Sequence, residues 1–556
     1  RSVLPALLLL AGSAGAVRAA DPMREEPIEP PYYAIEGARI VPVSGPVIED
    51  GTIVVARGLI QAVGADVEVP PEARVIDGAG LVVYPGLVDG LSDLGLRGDD
   101  EDGEDRGRSG GGPPGFGGGP SASGPEDRPA TTPWKSAAHR LSLDDGRLET
   151  WREGGFSSAV VAPDEGIVQG QAAFVNLAGQ RPRELVVETP VALRLGLQPP
   201  GGFGSFPSSL FGVVSYLEQL FLDAAHYHEA WNRYEADPVS RERPHYDRAL
   251  EALLQAVDEG RPVLLPATNA VEIRRAVALG ERLKAETVVY GGHGGYAVAG
   301  ELAAADVPVL VSLDWPEAEP DRDPEADTPL RVLRFRHRAP STPAAFEEAG
   351  VRYGFTADGL ASPRAVLEAV REAVDAGLSP DAAIRALTLG VAEIYGVDDR
   401  LGSLDPGKIA NLAVADGDLL AEGTKVKMVF VDGRPFEVAE AERPEEPPAV
   451  DVTGRWELSV ETPRGVQEAT ADLEMDEDGT LSGTVEGESA SGQILDGWVA
   501  GDRFRFTVSM TMGGRAVEAT YSGTVEEDRM EGSVSMGPFT AELTGRRPGA
   551  GWKEAA

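Results

Sequence analysis

Apolar and polar positions alternate in short runs towards both ends of this chain and fall at helical spacing through much of its middle. Residues 38–43, 51–56, 59–63 and 74–77 are β-type runs separated by Gly, Pro and Asp, which predicts short strands joined by turns. That set is too thin to close its own core. Matching runs return far downstream at 410–415 and 426–431, so the economical expectation is one β-sandwich built from residues 33–85 and 399–438 around an inserted domain. Within the insert, residues 86–398, strand-like runs at 156–161, 191–195, 262–265, 287–290, 307–311 and 353–356 alternate with helix-spaced runs at 271–283, 295–305 and 363–376. Such alternation predicts βα units around a parallel sheet. Residues 208–235, rich in Leu, Phe, Tyr and Trp, predict a long helix on the outside of that sheet. Past residue 451, roughly eight alternating runs separated by turn signals such as Asp478-Gly479 predict an antiparallel barrel or sandwich over 451–546.

Three stretches fit none of these elements. Residues 98–133 mix an acidic run with Gly-Pro repeats and cannot bury enough apolar surface to offset their ordering entropy, so they are expected to be a disordered insertion after the first inner strand. Residues 439–450, dense in Glu and Pro, predict a linker. The opening run, one Arg followed by about ten apolar residues and small residues at Ala16, Ala19 and Ala20, predicts a secretory signal peptide over 1–20 lacking its initiator end, and so an exported, periplasmic or extracellular protein. The run is too short to predict a stable membrane span.

Composition sharpens the picture in two places. The formal charge of −41 over 556 residues sets this chain against nucleic acid and anionic membranes as partners. With no cysteine and only six histidines, a disulfide framework and a thiol nucleophile are excluded, and any metal site must draw on His and carboxylates. No phosphate-binding loop or nucleophile elbow is present.

One motif carries chemistry. Pro85-Gly86-Leu87-Val88-Asp89-Gly90-Leu91-Ser92-Asp93 resembles the first barrel strand of the amidohydrolase superfamily, which reads P-G-[LI]-[IV]-D-x-H-x-H. Thr388 to Gly396 and Gly402-Ser403-Leu404-Asp405-Pro406-Gly407-Lys408-Ile409-Ala410-Asn411-Leu412 resemble the closing signature of the same family, with Gly390-Val391 in place of Asn-Pro and Asn411 in place of Asp. The resemblance covers residues 33–438 and implies a TIM-like (β/α)8 barrel with the split sandwich, a divalent metal of the zinc type, and hydrolysis of C–N bonds in small amides or peptides. It also implies where ligands belong, and there the chain departs. Leu91 and Asp93 stand for the two first-strand histidines, Pro266 for the fifth-strand His and Gly291 for the sixth-strand His, while the last-strand acid is kept as Asp358. His293 lies two residues beyond Gly291. Asp93, His293 and Asp358 are therefore the candidate residual metal site, with Asp358 and His293 as the candidate acid/base pair.

Two functions follow as expectations. One is a C–N hydrolase by resemblance; the other is a catalytically silent barrel that binds a small molecule or a partner protein, with a homo-oligomer open to either. His226 and His228, two apart on a helix, face different ways and predict no shared metal. His139 is expected on a solvent-exposed helix, and Gln169-Gly170-Gln171 as a turn after the second inner strand.

Overall fold

The computed structural model describes residues 32–97, 128–200, 206–258, 260–317, 327–360, 362–438 and most of 446–548. The opening run expected to be a signal peptide, the insertion up to residue 127 and much of the 439–450 linker lie outside the described residues.

The chain opens with β1 (Tyr32–Ile40), β2 (Ile48–Ala56), β3 (Leu59–Gly64), β4 (Ala73–Asp77) and β5 (Val82–Pro85). It then enters the inserted barrel through β6 (Leu87–Ser92), β7 (Phe156–Val161), β8 (Val168–Asn176), β9 (Val186–Leu195), β10 (Val263–Ala267), β11 (Thr287–Gly291), β12 (Val309–Ser312) and β13 (Tyr353–Thr356). It returns to the first sheet through β14 (Leu412–Ala415), β15 (Val426–Val431) and β16 (Arg434–Glu437). The two flanks meet where β14 pairs antiparallel with β5, Leu412 against Pro85 and Val414 against Val83. Ile35, Ile40, Ile53 and Ile60 from one flank and Leu412 and Phe430 from the other share one core, so neither flank closes without the other. Asn411 locks this sheet to the barrel. Its Nδ2 donates to Ser158 Oγ at 2.9 Å and Asn176 Oδ1 at 2.8 Å, and its Oδ1 accepts from Asp432 N at 2.8 Å.

Barrel strands run in the order β6 to β13. From β9 to β13 every pair is parallel, as the βα alternation predicts. The expectation of βα units throughout fails between residues 156 and 195, where β8 runs antiparallel to both β7 and β9. The cause is a tight connection: Gln169 Nε2 donates to the Asp164 carbonyl at 2.7 Å, bracing a turn too short to hold a crossover helix. Gln169-Gly170-Gln171 accordingly lies inside β8, with a register shift beside Gly170, and is not the turn its composition predicts.

No ladder joins β13 to β6 among the described residues. Side chains close that seam. Asp89 Oδ1 accepts from Ala357 N at 3.0 Å, Thr356 Oγ1 donates to the Leu91 carbonyl at 2.6 Å, and Tyr395 Oη donates to the Gly90 carbonyl at 2.8 Å.

Outside the barrel, the helix Leu210–Ala236 buries Val213, Leu217, Leu220, Phe221, Ala224 and Tyr227 on one face and is capped by Ser209 Oγ accepting from Gly212 N at 3.2 Å. His226 and His228 lie on its exposed side. The helix Ala270–Leu283 starts with a full capping box between Asn269 and Glu272. The helix expected over 295–305 is broken at Val298 into a single turn, Gly295–Ala297, and the short helix Ala299–Ala305.

The C-terminal region closes as a barrel, which decides between the two architectures its pattern left open: β17 (Gly454–Thr462), β18 (Gly465–Met475), β19 (Leu481–Gly487), β20 (Ser491–Ala500), β21 (Arg503–Met512), β22 (Arg515–Glu526), β23 (Arg529–Met536) and β24 (Phe539–Arg546) pair in sequence and β24 returns to β17. Its interior is filled by Trp456, Phe504, Phe506, Val508, Tyr521 and Leu543, with the Phe506 and Tyr521 rings stacked at 4.8 Å. Among the described residues no helix is long and apolar enough to cross a membrane.

Candidate functional site

In a parallel barrel the βα loops converge at the C-terminal ends of the strands, so the residues to place are those closing β6, β9, β11, β12 and β13. Within β6, Asp89 is 2% exposed. Its Oδ1 also accepts from Leu91 N at 3.4 Å, while Oδ2 has no hydrogen-bond partner. Burial pushes the Asp89 carboxyl up to about 7; the Ala357 and Leu91 amides pull it down and nearby Asp358 raises it further. Leu91 is 1% exposed and belongs to an apolar cluster with Val160, Phe174, Leu264, Tyr290 and Leu310. Hydrocarbon thus fills the barrel interior at that position.

The three candidate ligands go separate ways. Asp93 is half-exposed and its Oδ1 accepts from Arg147 Nη1 at 2.8 Å, the same guanidinium that Asp145 holds at 2.8 Å. His293 follows Gly291, whose φ of +102° only a glycine adopts readily, and the chain turns its imidazole to the Ser312 carbonyl, with Nε2 at 3.0 Å. A carbonyl only accepts, so Nε2 carries the proton. Trp315 packs on that ring at 5.6 Å and Phe335 at 6.5 Å. Burial pushes the His293 pKa down and the Ser312 hydrogen bond partly offsets it. Asp358 follows β13, its amide donating to Thr356 Oγ1 at 3.3 Å. Its carboxyl is raised by burial, lowered by Arg194, and raised by Asp93 and Asp164. Among the described residues no three His, Asp or Glu side chains converge as a metal would require. His139 is exposed at the end of a single 3-10 turn.

The residue missed by the sequence reading is Arg194, near the end of β9. Its guanidinium carbon lies 5.2 Å from the centroid of the Tyr290 ring. Nη1 makes one long bond, 3.4 Å to the Ala162 carbonyl, and Nε has no partner. No salt bridge joins Arg194 to Asp358 or to any other carboxylate among the described residues, although its charge bears on Asp358, Tyr290 and Tyr395. Asp314, after β12, is likewise raised by burial, then by Asp358 and by Glu317. The signal was available: Arg194 interrupts the otherwise apolar run Val191-Ala192-Leu193-Arg194-Leu195, and a charge inside a buried strand calls for a partner. A cleft of about 620 Å³ lies at the other end of β13, where Tyr353 lines it, away from these residues.

Comparison with known proteins places this geometry. Residues 281–436 match the amidohydrolase family. An amidohydrolase from Thermotoga maritima MSB8 superposes with a TM-score of 0.59 at 23% identity, covering 73% of this chain and 100% of that one. The chain has the amidohydrolase fold. Two curated relatives match in sequence: adenine deaminase 1 of Desulfotalea psychrophila, 42% identical over 65 residues, 12% of this chain and 10% of the relative, and adenine deaminase of Methanoculleus marisnigri, 28% identical over 203 residues, 34% and 37%. The matched part thus spans well under half the length of either relative.

The amidohydrolase family implies a divalent metal, and the residues at the mouth do not fit one. Leu91, Pro266 and Gly291 offer no side-chain donor, Asp93 is already paired with Arg147, and the His293 ring is bonded to Ser312. A fixed guanidinium acting on Asp358 would also oppose a second cation there.

Proposed function

We propose that the amidohydrolase-fold barrel binds a small ligand and does not hydrolyse one through a metal. The observation that carries this reading is Arg194: a built-in cation, resting on Tyr290, that bears on Asp358, the acid kept at a family ligand position. The filled interior around Leu91 and the engagement of His293 by Ser312 support it. Purified protein, stripped with chelator and then offered zinc, iron and manganese, is expected to retain well under one equivalent by elemental analysis. Retention of one equivalent that Asp358→Ala abolishes would overturn the reading.

A second reading is C–N hydrolysis, and Asp358 favours it. A partly buried carboxyl raised from its ordinary range, at the end of the last barrel strand, is suited to carrying a proton. Relatives bearing the name adenine deaminase make adenine a substrate to try, beside the small amides and peptides that the family resemblance implies. Turnover that Asp358→Asn removes would establish it. Export belongs to the same proposal and rests on the apolar opening run; mature protein whose N-terminus maps close to Ala19 or Ala20 is the expected result, and an intact opening run in the cell-associated fraction would count against it.

A further inference from the structure

At the N-terminal end of β13, away from the barrel mouth, a cleft of about 620 Å³ lies between the barrel and the sandwich. Val43 and Val47, from the connection between β1 and β2, line one side; Val351, Ala382 and Ile384 line the other. Mostly apolar walls with few free polar groups are the usual form of a small-molecule site. Tyr353 supplies the free polar group. Its Oη is buried and has no hydrogen-bond partner among the described residues, an arrangement that is costly unless something meets it. Phe346 at 5.9 Å and Phe355 at 6.1 Å pack on the ring and hold the hydroxyl in place. Burial and then Glu347 push the phenol above its usual range against the opposing pull of Arg385, so at neutral pH it offers a proton.

The charges on the same walls are already engaged. Arg385 Nη2 donates to both carboxylate oxygens of Glu393 at 2.6 Å, and Glu347 accepts from Ser379 N at 3.0 Å and Ser379 Oγ at 2.6 Å. Arg352 is paired with Asp306, and Asp381 stands exposed at the rim. The backbone is shaped around this space as well. Val43 is β-branched yet sits at φ +69°, a conformation such residues adopt only under constraint and one that recurs at ligand clamps. Val41 N to the Val83 carbonyl at 2.9 Å and Leu404 N to the Pro42 carbonyl at 3.1 Å supply the constraint. Gly390 also lines the cleft, and a Cβ there would stand 2.6 Å from the Tyr353 carbonyl oxygen, so that point of the wall stays bare. Opposite, a Cβ on Gly45 would meet nothing within 4 Å, which leaves that wall room to shift for a ligand reaching the hydroxyl.

We propose that this cleft is a second small-molecule site, taking a neutral, largely apolar compound whose carbonyl or ring-nitrogen acceptor meets the Tyr353 hydroxyl. An anion would be added to Glu347, Glu393 and Asp381. A cation would find Glu347 and Glu393 already engaged, and a pure hydrocarbon would leave Oη unmet. The site is separate from the barrel mouth, and the metal titration does not bear on it.

The test uses the full chain in equilibrium dialysis against α-tetralone, with tetralin, the same skeleton without oxygen, and α-naphthoate, a charged counterpart, beside it. α-Tetralone is expected to saturate and to bind about tenfold tighter than tetralin, the size of one neutral hydrogen bond, while α-naphthoate does not saturate. Tyr353→Phe should abolish the preference for α-tetralone without lowering the melting temperature of the ligand-free protein, since Oη has no bond to lose. Val47→Trp and Ala382→Trp fill the cleft from opposite walls, and either one that folds should weaken α-tetralone and tetralin alike. Four results overturn the proposal: no saturation by α-tetralone up to its solubility, equal binding of α-tetralone and tetralin, a preference that survives Tyr353→Phe, or a ligand-free protein destabilised by Tyr353→Phe.

Discussion

Lowering the pH from 8 to 5 is expected to stabilise the amidohydrolase-fold barrel through Asp89. In the folded protein this carboxyl titrates at about 7, against an ordinary value of 3.8. Between those values the native state holds a proton that the unfolded chain has released, so stability falls as pH rises through that window and is lowest above it. A displacement of about three units is on the order of 4 kcal/mol when fully expressed. The cause is geometric: Oδ1 is used by the Ala357 and Leu91 amides, and Oδ2 is buried with no donor. His293 works in the opposite sense, because its lowered pKa makes the unfolded chain the better proton binder near pH 6. The measurement is therefore a comparison: urea unfolding of wild type and Asp89→Asn across pH 5–8. Asn keeps the acceptor for Ala357 and removes the titration. Wild type is expected to lose stability relative to the variant as pH rises; parallel curves would mean that Oδ2 finds a donor in solution.

Trp456→Ala is expected to cost the C-terminal barrel about 3–5 kcal/mol, the range for emptying a fully buried aromatic site. Trp456 is 0% exposed and belongs to the apolar cluster inside β17–β24. Its indole Nε1 donates to the Val452 carbonyl at 2.8 Å, and Arg547 covers the ring at 4.9 Å. Truncation therefore removes packing, leaves the Val452 carbonyl without its donor, and uncovers the guanidinium. The cluster inside this barrel is separate from those of the α/β barrel and the sandwich. Calorimetry should show one transition moving down by on the order of 15–30 °C for a module of this size while the rest stays in place. If every transition moves together, the C-terminal barrel is not an independent cooperative unit. Trp456→Phe, which keeps much of the volume, should recover most of the loss.

What could be read from the sequence was what periodicity and local motifs carry. The strands of both flanks, the helix after Asn269 and the long helix after Ser209 come directly from apolar spacing and composition, while their caps appear in the structure. The direction of β8 does not, because an alternating run looks the same in parallel and antiparallel pairing. The first-strand motif located Asp89, Leu91 and Asp93 correctly in the chain, yet which of them faces water depends on partners distant in the chain: Ala357 and Thr356, 268 and 265 residues from their partners, for the seam, and Arg147, 54 residues on, for Asp93. His293 stood close to the family ligand position by count. Backbone turning at Gly291 sends its ring elsewhere, and a count of residues does not contain that rotation. Asn411 looked like a minor exchange for Asp. Its amide donates to both Ser158 and Asn176 in a buried setting, contacts that a carboxylate cannot make as a donor. Arg194 was the lapse that physics could have prevented, since an Arg inside an apolar strand already asked for an explanation.

The shared sheet of the two flanks also constrains how the protein is made. β5 waits for β14, and more than three hundred residues separate Pro85 from Leu412. At ribosomal speeds that interval lasts on the order of half a minute. Throughout it, the nascent β1–β5 sheet presents an open apolar edge with no partner yet synthesised, a natural recruitment point for chaperones and the place where a slow codon or a truncated transcript would do most harm.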